Sequence, residues 1–67
     1  MERKIKANIA YGMGKYEEAE ENLISHLFDY PHDKTAWEML GNVRAKLGKI
    51  KLSECAFEMV KALQGSL

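Results

Sequence analysis

Cysteine, proline and tryptophan each occur once in this chain, at Cys55, Pro31 and Trp37. A single cysteine has no intramolecular partner, which excludes a small secreted fold stapled by internal disulfides. Surplus charge is missing as well, since ten Lys or Arg stand against ten Asp or Glu. General nucleic-acid clamps and binders of acidic membranes carry a basic excess, so neither partner is expected. No apolar run approaches the ~20 residues of a membrane span, and the opening Met1-Glu2-Arg3-Lys4 leads into no signal-peptide core. The expected compartment is cytoplasmic and reducing. Length sets the last bound: 67 residues and 7.6 kDa make one domain, 1–67. Area scaling allows a folded surface of about 4,300 Å² against about 11,000 Å² unfolded, so the core is thin.

The apolar residues, 46% of the chain, recur every three or four positions, the period of a helix. Four helices are predicted. The first covers about Glu2 to Met13, with Ile5, Ile9 and Met13 on one stripe. The second covers about Tyr16 to Asp29, with Tyr16, Ala19, Leu23, Leu27 and Tyr30 on one face, and Pro31 ends it. The third covers about Lys34 to Leu47, with Asp33 as N-cap and Ala36, Leu40, Val43 and Leu47 inward. The fourth covers about Ile50 to Leu63. Nothing alternates as a strand does.

Sliding the chain over itself by 34 residues aligns Asn8 with Asn42, Gly14 with Gly48, Lys15 with Lys49 and Glu20 with Glu54. Ile9/Val43, Met13/Leu47, Tyr16/Ile50 and Leu23/Phe57 match in size or character. The predicted fold is therefore all-α: two antiparallel helix hairpins of one design, about 1–33 and about 34–67. Gly14 and Gly48 suit a left-handed helix end, while Ala7 and Gly41 permit close helix approach.

These residues resemble the tetratricopeptide repeat. Its Trp-x-x-Leu-Gly, hairpin Gly and later Phe are matched by Trp37-x-x-Leu40-Gly41, Gly48 and Phe57. In the first copy Gly14, Tyr16, Ala19 and Pro31 match, and Gly14-Lys15-Tyr16-Glu17-Glu18-Ala19 is the most characteristic stretch. The resemblance covers essentially the whole chain. It departs at Arg3 and Lys6, where the family opens its first helix with large apolar residues, at Ser53 in place of alanine, and at Ala10 and Arg44 in place of an aromatic. The resemblance implies an α-solenoid of two degenerate repeats that binds proteins or peptides.

Helical-wheel arithmetic at about 100° per residue separates the second and fourth helices. Glu17, Glu18, Glu21, Asn22, Ser25 and Asp29 leave the second a broad polar face. In the fourth, Ile50, Phe57 and Val60 form one apolar stripe and Leu52, Cys55, Met59 and Leu63 a second. Two hairpins can bury only one side of their last helix, and solenoids normally finish in a polar cap. The second stripe is expected to pack against another polypeptide, a second copy of this chain or a partner.

The zero net charge hides a layout. Residues 1–16 carry a net +3, residues 17–38 a net −6 and residues 39–67 a net +3. In the family the first-type helices line a concave groove, which here offers Lys4, Asn8, Tyr11, Glu38, Asn42 and Lys46 to an acidic or C-terminal peptide. Lys4 and Asn8 resemble the opening Lys and Asn of the carboxylate clamp with which some family members hold chaperone tails. The next clamp position, however, is Met39, and the remaining ones belong to a third repeat outside these 67 residues.

No catalytic residues, cofactor or metal are expected. His26 and His32 are the only histidines, no second cysteine joins Cys55 for zinc, and His26 falls where the family buries a small residue. Gly12-Met13-Gly14 follows no strand and is no phosphate loop. The expected function is a protein-interaction module, homodimeric through the last helix. Alternatives are a small dedicated chaperone or assembly subunit stable only with its partner, as the repeat-containing chaperones of bacterial secretion systems are, and a piece of a longer repeat protein.

Overall fold

Two glycines 34 residues apart set the architecture. A computed structural model describes residues 2–65; positions 1, 66 and 67 of the expected domain lie outside the described residues. The helices are α1 (Glu2–Gly12), α2 (Tyr16–Asp29), α3 (Lys34–Lys46) and α4 (Ile50–Gly65), and among the described residues there is no strand. Gly14 and Gly48 both have φ +77°, the region that other L-residues avoid. Around them the same closure is built twice. Lys15 N–H donates to Ala10 C=O and Lys49 N–H to Arg44 C=O, both at 2.8 Å, while Gly14 and Gly48 N–H donate to Tyr11 and Ala45 C=O, both at 3.1 Å. That six-to-one and five-to-two pattern is a Schellman end, and its repetition gives two hairpins of one design.

The third helix begins as expected: Asp33 Oδ1 accepts from Ala36 N–H at 3.2 Å. The closures take Met13 and Leu47 out of the helices, and α4 runs on to Gly65, past Leu63. Consecutive helices pack on one another, so α2 and α3 are covered on two sides and α1 and α4 chiefly on one. The molecule measures 34 × 26 × 16 Å, less than two helix diameters at its thinnest, so every helix keeps a solvent face.

The core is Ala7, Ala10, Ala19, Leu23, Leu27, Ala36, Leu40, Val43 and Ala56. Five of these nine are alanines, so close helix approach, rather than large apolar volume, holds it together. Ala36, Leu40 and Val43 are inward as predicted and Leu47 is half-buried. Gly41 carries the closest approach: a Cβ placed there would lie 2.7–2.9 Å from ring atoms of Phe57. Ser53 is buried and donates its hydroxyl to Gly41 C=O at 2.8 Å.

The apolar stripe of α1 is not buried. Ile5, Ile9 and Met13 are each about 60% exposed, and Ala7 and Ala10 are the residues α1 buries. Their repeat counterparts Val43 and Leu47 are covered because α3 lies between α2 and α4, whereas no hairpin precedes α1 among the described residues. Ile50 is exposed for the mirror reason at the other end. Tyr30 is half exposed, its ring stacked on His26 at 4.9 Å between centres.

Candidate functional site

The outer surface of α4 divides into three sectors. Ser53, Ala56 and Val60 are buried against the rest of the fold, with Phe57 beside them on Gly41. Lys51, Glu54, Glu58 and Lys61 form a charged sector, all exposed. Between these lies the second apolar stripe: Leu52 is 46% and Met59 37% exposed, Cys55 is an exposed free thiol, and Leu63 is half-buried. The repeat gives an internal comparison. Thirty-four residues earlier the same four positions on α2 are Glu18, Glu21, Ser25 and Asp29. One backbone design thus presents a polar face on α2 and an apolar one on α4.

On the other side of the fold, Asn8, Asn42 and Lys46 are exposed, while Tyr11 and Glu38 are half-buried. Tyr11 leans on Tyr16, ring centres 5.6 Å apart at 58°. Lys4, Ile5, Asn8 and Met39 line an open depression between α1 and α3. The Lys4 ammonium is already engaged, donating to Asp33 Oδ1 and Oδ2 at 3.1 and 2.9 Å and to Thr35 Oγ1 at 2.6 Å. An acidic ligand in this depression must compete with Asp33 for it.

Asp33 is also the partner of His26, a pairing with no signal in the sequence beyond the histidine's place at a buried position of the repeat. The His26 ring is 2% exposed and its Nε2 lies 2.8 Å from Asp33 Oδ2. An ionised carboxylate only accepts, which assigns the proton to Nε2; Nδ1 is buried without a hydrogen-bond partner. Burial pushes the Asp33 carboxyl up, but the hydrogen bonds from His26, Lys4, Thr35 and the Ala36 N–H outweigh it and hold the group well below the usual carboxylate range.

A second ion cluster lies at the opposite end of the α2–α3 seam. Glu20, 8% exposed, accepts from Arg44 Nε at 3.1 Å and from Lys49 Nζ at 2.8 Å. Burial raises the Glu20 carboxyl and the two cations more than compensate, leaving it below its ordinary value. Arg44 ties α3 to α2 through Glu20. The two clusters together join the first hairpin to the second through charge, so the buried titratable side chains are committed to the fold. Among the described residues no three His, Cys, Asp or Glu side chains gather as metal ligands, and no helix is long and apolar enough to cross a membrane.

No protein-family model, curated protein or solved structure matches the chain.

Proposed function

We propose that the chain is a tetratricopeptide-like protein-interaction module that takes a helix or peptide of another polypeptide on the outer face of α4 and self-associates there. The observation that carries this reading is the exchange of Glu18, Glu21, Ser25 and Asp29 on α2 for Leu52, Cys55, Met59 and Leu63 at the same repeat positions of α4. Contiguous exposed apolar surface on a small chain marks an interaction site, and methionine there adapts to varied packing. The exposed thiol of Cys55 suits a reducing, cytoplasmic compartment. Sedimentation equilibrium over micromolar concentrations tests the reading. A mass above that of one chain, reduced by Leu52→Glu with Met59→Glu, is expected; a folded monomer throughout refutes self-association.

A second reading is a small chaperone or assembly subunit that folds only with its partner. It draws on the first hairpin, where Ile5, Ile9, Met13, Ile24 and the 88%-exposed Phe28 are uncovered. Thermal unfolding separates the two, because a chain that melts cooperatively alone has no obligate partner.

A further inference from the structure

The α4 stripe is flanked along one edge by Lys51 and Glu58, both exposed and neither in an ion pair with another described residue. They lie seven residues apart, two helical turns, and so project from the same side of the helix. Leu52 and Met59 are also seven apart, one position further on. The mid-points of both pairs fall within one residue of Cys55. This placement is self-complementary. When two copies of a helix meet antiparallel about a two-fold axis, the same flank of each faces the other, and a residue ahead of the axis meets one behind it. An axis at Cys55 brings Leu52 against Met59 of the second copy, and Lys51 against Glu58 of the second copy, each contact made twice. A parallel pairing about a two-fold axis would instead face this flank with the opposite flank of the second copy, so that Lys51 and Glu58 would not meet.

We infer that the occupant of the α4 face is a second copy of this chain, paired antiparallel with the two-fold axis at Cys55 and its register set by Lys51–Glu58 ion pairs across the interface. The inference rests on the self-association proposed above and adds its partner orientation. Helix axes packed 8–10 Å apart place the two Cys55 thiols within reach of one another at the axis. With the axis at Cys55, residues 50–60 of α4 (Ile50–Gly65) overlap their symmetry mates, a contact about 16 Å long at the small end of interface sizes, and a dissociation constant on the order of micromolar is expected.

The test combines sedimentation equilibrium with thiol cross-linking by a short bis-maleimide, with Cys55→Ser as control and circular dichroism to confirm folding. Lys51→Glu and Glu58→Lys each turn two attractive pairs into repulsive ones. Each should weaken the dimer about tenfold at low salt, and the double exchange should restore it to within about threefold. Cys55 should cross-link to a covalent dimer at protein concentrations above the dissociation constant and not below. A wild-type monomer overturns both this pairing and the self-association it rests on. A dimer that Leu52→Glu with Met59→Glu abolishes, but that ignores the charge exchanges and does not cross-link, overturns the register and keeps the face. A dimer that survives Leu52→Glu with Met59→Glu overturns the use of α4 altogether.

Discussion

Replacing Asp33 by Ala and by Asn separates two tasks that one carboxylate performs. Oδ1 caps α3 by accepting from Ala36 N–H, and Oδ2 takes the Nε2–H of the buried His26 and one Lys4 proton. Alanine removes everything. Loss of an N-cap costs about 1 kcal/mol, and stranding a buried donor on His26 costs about 1–3 kcal/mol. Lys4 is partly exposed and can turn to water, so its share is under about 1 kcal/mol. Asp33→Ala should therefore destabilise by about 3 kcal/mol. Asparagine keeps an oxygen for Ala36 but turns its amide NH₂ toward two donors, so Asp33→Asn should cost about 2 kcal/mol. In a domain of this size each kcal/mol is worth roughly 4–8 °C in Tm, and both variants are measurable by thermal and urea unfolding followed by circular dichroism at pH 7.

The same pair gives a pH test. The folded Asp33 carboxyl lies below its unfolded value of about 3.9. Its stabilising contribution is thus complete above that value and drains away as the pH falls toward the folded one, because the unfolded chain takes up the proton first. Wild type should lose stability between about pH 5 and pH 2, and the gap to Asp33→Asn, which has no such proton to bind, should narrow on acidification. The reasoning is refuted by an Asn variant within about 0.5 kcal/mol of wild type at pH 7, or by a gap that widens at pH 3.

Glu20→Gln should destabilise by about 1–3 kcal/mol in urea, because the largely buried Arg44 loses its carboxylate; an unchanged midpoint would show that Arg44 finds another acceptor. Gly41→Ala sets a helix-propensity gain of about 1 kcal/mol against about 1–3 kcal/mol of overpacking on Phe57. A net loss of about 1 kcal/mol is expected, relieved by adding Phe57→Leu. If Gly41→Ala melts as wild type does, the ring has swung outward at no cost. Ser53→Ala should cost no more than about 1 kcal/mol, since the Gly41 carbonyl keeps the intrahelical N–H four residues on. A larger drop in the urea midpoint would mean that Ser53 Oγ does more than close that one bond.

What could be read from the sequence is what is local. The helical period, the Asp33 cap, the left-handed glycines and the 34-residue repeat each depend on residues within a few positions of one another, or on self-similarity, and each appears in the structure. What could not be read depends on which neighbour covers which stripe. Ile5, Ile9 and Met13 carry the right period for a buried face, yet a period cannot say whether a hairpin precedes α1. The ion clusters were hidden for a related reason. Lys4 and Asp33 are 29 residues apart, Arg44 and Glu20 are 24, and neither separation matches the repeat. The repeat pattern puts His26 at a buried position and Lys4 in the groove; only the packing of α1, α2 and the turn before α3 brings both to one carboxylate.

The two ends of the stack bear on which contact the proposed dimer can use. End-to-end addition, with α1 of one copy seated on α4 of the next as α3 sits on α2, would bury the positions that correspond to Ala36 and Leu40. In α1 these are Glu2 and Lys6, which pair with each other at 3.2 Å and are both well exposed. Burying them would cost several kcal/mol of desolvation. On the receiving helix, the position of the buried Glu20 is Glu54, and no described arginine of α1 stands where Arg44 would answer it, since Ala10 holds that place. Charge therefore opposes open-ended stacking, although that stacking would cover Ile9 and Met13, while the α4 stripe lies to the side of both ends. An isologous contact through that stripe closes on itself, so raising the concentration should bring the mass to that of two chains and no further.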